Sequence, residues 1–406
     1  MTTITLKKVL TPAAHYYHTL RQRHFPTRLY GLHSSIPALN SGDDTPALSP
    51  KRALLSYITL PFKLSPNDSA NVRFSNIGLA RTLVQVLNDL GYVVDIVEYN
   101  DARFRPRHTY DLFLGHGGDN FEKIARALPR TTTKLYFSTG SYWRIWNELE
   151  LARVDYLYQR RGFRIEPDRI IARSEEWANV NADGIIALGN SYVRQSYAGF
   201  PHVINVNNAT YHDDGYDPES KDYARGRNGF LYFAGAGNLH KGLDLLLDAF
   251  SQLDEHLYVC QVLSPEFARL YQRELNSRPN IHNIGHISLR SQQFYQLVGK
   301  CNFVILPSCG EGQPGSVLDC MQYGLIPVVS KESNIDTADF GVTFEQCTVE
   351  EIAAVVQDLA SRPLEWQRDK AACTREVTLT QYSRDTFYQN FRCSILQLLD
   401  ERNTAA

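Results

Sequence analysis

Residues 302–330 read NFVILPSCGEGQPGSVLDCMQYGLIPVVS, and this stretch decides the fold. An apolar run at residues 303–306 ends at Pro307, and a glycine-rich loop follows it. A helix-compatible run begins near Pro314, and a second apolar run occupies residues 326–329. This order predicts a strand, a loop, a helix and a second strand, which is the repeating unit of a parallel sheet.

Two carboxylates lie in this unit, Glu311 in the loop and Asp319 on the predicted helix. Ligands of α/β proteins bind beyond the carboxyl ends of parallel strands. Carboxylates accept hydrogen bonds and sugars present mainly hydroxyl donors, so this placement suits a carbohydrate. The alternative is that both acids are solvated charges on a loop and a helix.

The segment resembles the donor-site signature of family-4-like glycosyltransferases, in which two acidic residues are separated by seven others. The spacing from Glu311 to Asp319 is the same, with Asp in the second place. Pro-Ser before the first acid, Glu-Gly-x-Pro around it and Gly-x-x-Pro-Val-Val-Ser after the second strengthen the resemblance. The resemblance is strong over residues 228–361 and weaker over 53–205. It implies a glycosyltransferase with a GT-B fold.

Composition and length favour an ordinary two-domain protein. A chain of 406 residues exceeds one compact core, and a net charge of −2 gives no electrostatic reason to expect nucleic acid. All seven cysteines lie from Cys260 onward without metal-ligand spacing, as in a cytosolic protein with reduced thiols. The sequence has no apolar run of membrane-spanning length and no secretory signal, so we predict a cytoplasmic protein.

The chain divides into four parts by pattern. Residues 1–50 show no sustained period and are interpreted as an irregular or partly helical N-terminal arm. Strands and helices alternate over 51–206 and again over 207–380, which predicts an α/β protein with two doubly wound, Rossmann-like parallel sheets facing a cleft. The first is the predicted acceptor domain and the second the donor domain, and the polar stretch 207–228 is the expected linker. The resemblance implies that the last helix, within 381–406, returns to the N-terminal domain.

The segment FLYFAGAGNLHKG, residues 230–242, is the second anchor of the expected donor site. A strand runs into Gly235 and Gly237, and Lys241 precedes an amphipathic helix. Small residues let a phosphate approach the backbone, and Lys241 adds a positive charge. The resembled family pairs such a Lys with an Arg after the first Gly, and this chain has Ala236 there. Taken alone, Gly-x-Gly before a helix also fits simple tight packing.

In the N-terminal half, His116 follows the predicted strand YDLFLG. A lone His in a loop is commonly a solvated side chain, but the resemblance implies that it contacts the donor sugar near the reacting carbon. Asp119 is a candidate to orient it or to bind acceptor hydroxyls. Ser75 or Asn76 is expected to cap the helix that starts at Ile77, with a phosphate or acceptor contact left open.

The resemblance implies roles for the remaining candidates and a retaining reaction. Glu311 would hold hydroxyls of the donor sugar, Asp319 the ribose diol, the backbone amides of Gly315 and Ser316 the phosphates, and the turn at 285–287 the base. The expected catalytic residues are His116, Lys241 and Glu311. The expected donor site comprises Gly235, Gly237, Lys241, Gly285, Ile287, Glu311, Gly312, Gly315, Ser316 and Asp319.

The stretch 143–173 holds seven arginines and five acids. Most of these charges are expected to pair along a solvated helix. The alternative is a patch for an anionic or lipid-linked acceptor, with peripheral contact at the inner face of the membrane. The arginines are Arg144, Arg153, Arg160, Arg161, Arg164, Arg169 and Arg173.

No Asp-x-Asp motif stands at a strand end, so no essential metal and no cofactor beyond the co-substrate is expected. The predicted partners are a UDP-, GDP- or ADP-sugar donor and a glycan or lipid-linked hydroxyl acceptor. Two other functions stay open: a GT-B sugar-nucleotide epimerase or hydrolase, and a catalytically inert GT-B scaffold.

Overall fold

The computed structural model describes residues 27–33, 50–64 and 75–405, which form two sheets with helices on their faces. In the first sheet the strands run in the order β1-β3-β2-β4-β5-β6-β7. Every neighbouring pair is parallel except β1 with β3. The strands are β1 (Arg28–Leu32), β2 (Lys51–Tyr57), β3 (Tyr92–Glu98), β4 (Leu112–Gly115), β5 (Thr133–Ser138), β6 (Gly184–Leu188) and β7 (Val203–Val206).

Five α-helices of the described chain accompany this sheet in sequence. The longest ends at Gly162, whose φ of 64° is a left-handed conformation that glycine adopts without steric cost. The helices are α1 (Ser75–Asp89), α2 (Gly118–Ala127), α3 (Trp143–Arg161), α4 (Glu176–Asn181) and α5 (Ser191–Ser196).

The second sheet is parallel throughout, in the order β10-β9-β8-β11-β12-β13. Its strands are β8 (Gly229–Phe233), β9 (His256–Cys260), β10 (Ile281–Asn283), β11 (Phe303–Leu306), β12 (Ile326–Ser330) and β13 (Val342–Phe344). Its helices are α6 (Leu243–Phe250), α7 (Pro265–Leu270), α8 (Gln272–Ser277), α9 (Gln292–Val298), α10 (Gly315–Met321), α11 (Val349–Ser361) and α12 (Leu364–Gln381). The predicted α/β architecture with two doubly wound parallel sheets is confirmed.

One local expectation was wrong. Residues 28–32, assigned to an irregular arm, form an edge strand antiparallel to β3. Five residues without clear alternation of apolar and polar side chains do not predict a strand. The hydrogen bonds to β3 make this segment a strand. In the second half, α7 and α8 are separate helices, because Tyr271 between them leaves helical geometry at ψ 23°. The other residues of the predicted arm, apart from 27–33 and 50, lie outside the described ranges.

Helix α3 belongs to the first half of the chain but packs into the core of the second. Val154 and Leu157 on α3, and Ile165 just after it, lie in the hydrophobic cluster built around the second sheet. Burying these side chains favours this docking by about 1.5–3 kcal/mol each. The helix is therefore shared between the two halves.

Arginines at the end of α3 join it to α6. Arg160 forms ion pairs with Asp244 and Asp248, and Arg161 pairs with Asp248 and, at 2.7 Å, with Glu274. The expectation that these charges pair along a solvated helix was wrong for both arginines, because the acids of α6 lie opposite them. Sequence spacing within one helix carries no information about partners on another element.

The last helix, α13 (Arg384–Ala405), follows the second half in sequence but packs against the first sheet. Its inward-facing side chains Phe387, Phe391, Ile395 and Leu398 join the core cluster of the first sheet. Among the described helices, none is both long and apolar enough to cross a membrane.

The polar stretch 207–228 is bound to the second half along its length. Asp213 accepts hydrogen bonds from the hydroxyls of Tyr295, at 2.6 Å, and Tyr323, at 2.7 Å. The ammonium of Lys221 is buried against the carbonyls of Tyr323 and Gly324. The polar side chains of the expected linker are therefore hydrogen-bonded to the second half.

Leu157→Ala should reveal the shared core. Leu157 is fully buried, so removing its side chain should lower the free energy of unfolding by about 2–5 kcal/mol. Leu151→Ala on the same helix is the control, because Leu151 is 49% exposed and should change stability by less than about 0.5 kcal/mol. Equal unfolding temperatures for the two variants in calorimetry would contradict the docking of α3.

Candidate active site

Three loops meet where the carboxyl ends of the two sheets face each other. One begins with His116 after β4, the second is the glycine loop, residues 234–242 after β8, and the third is the acidic loop, residues 307–314 after β11. In the second sheet β8 and β11 are hydrogen-bonded neighbours, and their connections leave in opposite directions. Such a topological switch point forms a crevice for ligands in open α/β sheets.

Lys241 and Glu311 form a buried ion pair between the glycine loop and the acidic loop. Lys241 is 8% exposed and Glu311 is 6% exposed. Burial raises the pKa of Glu311, but the charge of Lys241, with hydrogen bonds from Lys241 and Ser308, brings the net pKa below its ordinary value. Glu311 is therefore a carboxylate at neutral pH, and its charge is matched by Lys241.

His240 fixes the two loops to each other. Its Nε2 donates to the carbonyl of Gly310 at 2.6 Å, and its ring stacks on Trp146 with centroids 4.8 Å apart. Its Nδ1 lies 3.3 Å from the buried carboxylate of Glu150. Trp146 and Glu150 both lie on α3, so this helix supports the glycine loop and the acidic loop through His240.

The acidic loop also touches the first sheet directly. A Cβ added to Gly312 would lie 1.9 Å from the carbonyl oxygen of Thr139, so only glycine allows this approach. The next residue, Gln313, has a φ of 61° and is held by hydrogen bonds to Asn207, Asn208 and Asn334. The two halves are thus in backbone contact at the acidic loop.

His116 stands on the opposite wall. Its Nδ1 donates to the carbonyl of Phe137 at 3.0 Å, and its ring lies against Tyr57 and Tyr99. Burial lowers its pKa, only partly opposed by the bond to Phe137. A neutral imidazole with a protonated Nδ1 presents Nε2 as an acceptor.

A cavity of about 390 Å³ lies between these walls, and the structure brings His116 and Glu311 together in it. The described residues that line it are His116, Ser138, Thr139, Gly140, Ser141, Trp146, Asp168, Arg169, Ile170, Ile171, Glu175, Glu311 and Gly312. A larger cleft of about 1320 Å³ shares His116 and Glu175 with it and extends along α2. This arrangement can hold a polar ligand of sugar size with a second molecule beside it.

The other predicted donor residues do not line this cavity. Gly235 and Gly237 are in the glycine loop, and Gly315 and Ser316 begin α10. Gly285 has a φ of 76° after β10, and the side chain of Ile287 is buried in the core, which leaves the backbone of that turn for recognition. Their predicted contacts stay predictions.

Asp319 is on α10 and is 7% exposed. Its carboxyl accepts a hydrogen bond from the hydroxyl of Thr210, which itself accepts one from Gln322 at 3.1 Å. Burial raises the pKa of Asp319 to about 7, against the opposing effects of Thr210 and Arg290. Asp319 does not line the cavity with Glu311, and its role toward ribose stays a prediction.

Several residues of this site carry no signal in the sequence. Glu150, Trp146 and His240 support the loops, and Glu175 lines both cavities with a pKa raised by burial. Of these residues, only His240 could have been identified from the sequence, because it directly precedes Lys241 in the glycine loop. Helix α1 begins at Ser75 and not at Ile77, so the predicted start of this helix was wrong by two residues. The side chains of Ser75, Asn76 and Asp119 lie outside the described residues, so the contacts predicted for them stay predictions.

Two doubly wound parallel sheets with a site between their carboxyl ends define a GT-B protein. Residues 228–362 match the family model of the glycosyl transferases group 1. The resemblance to family-4-like glycosyltransferases is therefore confirmed, over about the range that the sequence indicated.

Solved GT-B structures share this fold at low sequence identity. Sucrose-phosphate synthase from Thermosynechococcus elongatus aligns with a TM-score of 0.58 and 14% identity, covering 88% of this chain and 100% of that one. HepE from Anabaena, solved with UDP and glucose, aligns with a TM-score of 0.53 and 12% identity over 86% of this chain and 100% of its own.

A third similar structure, TarM, aligns with a TM-score of 0.52 and 13% identity over 71% of this chain. This chain covers 54% of TarM, which is thus the longer protein. No curated protein sequence matches this chain significantly. The family match and these neighbours together support sugar transfer.

Asp319→Asn should change how stability depends on pH. An unfolded Asp has a pKa of about 3.9 and folded Asp319 one of about 7, so the folded state binds an extra proton between these values. The free energy of unfolding should therefore fall as the pH rises through this window. The Asn variant stays neutral and should gain stability over the wild type at pH 8 but not at pH 4.

Asp254→Asn, at an exposed position of the second half, is the matched control for this measurement. Urea denaturation at pH 4, 5, 6, 7 and 8 would follow the difference between each variant and the wild type. A difference for Asp319→Asn that is constant across this range would contradict a shifted pKa at this site.

Proposed function

We propose that this protein is a glycosyltransferase that moves a sugar from a nucleoside-diphosphate sugar to a hydroxyl acceptor with retention of anomeric configuration. The observation that carries the proposal is the buried Lys241–Glu311 pair, placed at the switch point of the second sheet and beside a cavity that His116 closes from the first. Family and fold support the class of reaction.

The pair is costly unless it serves a ligand. Burying two charges costs several kcal/mol of desolvation per ion, and a well-packed apolar pair is often as stable or more stable. In the glycine loop, Lys241 is placed to exchange part of its contact with Glu311 for a phosphate oxygen. Glu311 is then free to accept hydrogen bonds from sugar hydroxyls, which suit a carboxylate.

The proposed reaction needs no enzyme nucleophile. The bond between the anomeric carbon and the diphosphate oxygen breaks, and the acceptor oxygen bonds to the same face of that carbon. The acceptor hydroxyl gives its proton to the departing diphosphate. Lys241 stabilises the charge that develops on the leaving group, and the protein otherwise contributes by orienting the donor and the acceptor.

The nucleotide is taken to be UDP, GDP or ADP, and the acceptor a glycan or a lipid-linked glycan. HepE, which shares the fold, was solved with UDP-glucose, and this supports a nucleotide-sugar donor. The larger cleft beside His116 provides room for the acceptor. We place the reaction in the cytoplasm, at the inner face of the membrane if the acceptor is lipid-linked, and without an essential metal.

A panel of UDP-, GDP- and ADP-sugars tests the class. Purified protein is incubated with each donor and simple sugar acceptors, and nucleoside diphosphate release is measured together with the NMR coupling constant of the new anomeric proton. Transfer with a retained configuration is expected. Release without transfer would indicate a hydrolase, an altered nucleotide sugar an epimerase, and neither product with any donor an inert scaffold.

Glu311→Gln should lower kcat/KM for the donor about 10- to 100-fold, the effect of losing a hydrogen bond to a charged group. Glu350→Gln, an exposed glutamate on α11, is the control and should behave as wild type. Circular dichroism checks that both variants are folded. A folded Glu311→Gln enzyme with wild-type kcat/KM would refute the donor-site assignment.

His116→Gln should lower kcat about 10- to 100-fold and leave nucleoside diphosphate affinity unchanged, because His116 faces the sugar and not the nucleotide. His202→Gln, at a surface pair with Glu401, is the control. Calorimetry measures affinity, and initial rates measure turnover. If the His116 variant loses affinity and turnover in equal proportion, His116 does not act at the sugar.

A further inference from the structure

The glycine loop has less positive charge available than a diphosphate requires. Its lysine is already paired with Glu311, and the exposed position 236 holds an alanine. A nucleoside diphosphate brings at least two negative charges into the site. A further cation from elsewhere in the chain would complete it.

The segment that follows α3, residues 162–175 and here called the return segment, runs back past the glycine loop. Three side chains of α3 hold its backbone in place. Glu150 accepts from the amide of Arg169 at 2.6 Å, Trp146 donates to the carbonyl of Arg169 at 2.8 Å, and Asn147 bonds both the amide and the carbonyl of Ile171. Asp168 in turn accepts from the amide of Asn238 at 3.2 Å.

Arg169 lies directly against the glycine loop. A Cβ added to Gly237 would be 3.0 Å from Cγ of Arg169 and 3.3 Å from its Cδ. Gly237 also has a φ of 102°, so this position is suited to glycine in conformation and in space. Within the residues that the structure describes, the guanidinium of Arg169 makes no hydrogen bond and no ion pair. The backbone of Arg169 is thus held by hydrogen bonds, while the donors of its guanidinium have no partner among the described residues.

Arg169 is surrounded by acids in the lining of the cavity. Of the described residues that line the cavity, Arg169 alone carries a permanent positive charge, and Asp168, Glu175 and Glu311 are acids. Without Arg169, every permanently charged side chain among these described lining residues would be a carboxylate, and Lys241, which does not line the cavity, is paired with Glu311. An Arg fork donates two parallel hydrogen bonds to a phosphate, which is the geometry that such a ligand needs.

We propose that Arg169 binds the donor diphosphate across the cleft, at the phosphate that carries the sugar. The inference rests on the proposed function, because it assigns a residue to the diphosphate of that donor. Arg169 shares the cavity with His116 and Glu311, so it meets the sugar end of the diphosphate and not the nucleoside end. It lies outside residues 228–362, the part of the chain that matches the family.

Isothermal titration of the full chain tests this assignment. UDP, GDP and ADP are titrated into the wild type, and the tightest of them is compared with its monophosphate by competition. Arg169→Gln should weaken the diphosphate about 10- to 100-fold and the monophosphate much less, as expected for one lost charge-assisted contact. Arg169→Lys should keep part of the diphosphate affinity, because it retains the charge and loses the fork.

Arg164→Gln is the matched control, since Arg164 lies on the same return segment and pairs with Asp155 away from the cavity. It should bind both nucleotides as the wild type does. Adding Ala236→Arg to Arg169→Gln supplies a cation from the exposed loop position beside Gly237. The double variant should recover at least part of the lost diphosphate affinity.

The outcomes separate this inference from the function on which it rests. A diphosphate-to-monophosphate affinity ratio that is unchanged in Arg169→Gln overturns the assignment of Arg169 and leaves the glycosyltransferase proposal standing. An equal loss for both nucleotides overturns it too, because it would show a structural role for the return segment. A wild type that binds none of the three diphosphates overturns the proposed function itself.

Discussion

The docking of α3 is the constraint on which the rest of the structure depends. The helix leaves the first sheet after β5 and buries Val154 and Leu157 in the core of the second, where the arginines at its end pair with acids of α6 and α8. Its opposite end carries Trp146 and Glu150, which support His240 and the return segment. One helix thereby fixes the distance between the two halves and the position of the loops that form the site.

Within that frame the site is organised by charge balance. The only buried lysine in the glycine loop neutralises Glu311 in the described structure, and Asp319, a helix turn away from the loop, is buried with a hydroxyl as partner. Each acid is therefore stabilised by a different partner, Glu311 by the cation Lys241 and Asp319 by the hydroxyl of Thr210. A ligand that brings a phosphate to Lys241 changes the ion pair with Glu311 and leaves the hydrogen bond between Thr210 and Asp319 unchanged.

Most of the fold could be predicted from the sequence, because a buried parallel strand such as Phe303–Leu306 is an unbroken apolar run with clear ends. The acidic loop and Lys241 could be predicted too, since their spacing is local. The partners of Arg160 and Arg161, and the placement of Arg169 on Gly237, depend on how two distant elements pack. No periodicity within one helix encodes such a contact.

The shared helix also determines how this chain could be recombined with a relative. Exchanging whole halves at residues 206–207, the boundary that composition suggests, would leave α3 with the first parent and its core with the second. Val154, Leu157 and Ile165 would then face a foreign hydrophobic surface, with Arg160 and Arg161 opposite unmatched residues. A functional chimera needs α3 and the return segment to come from the parent that provides the second sheet.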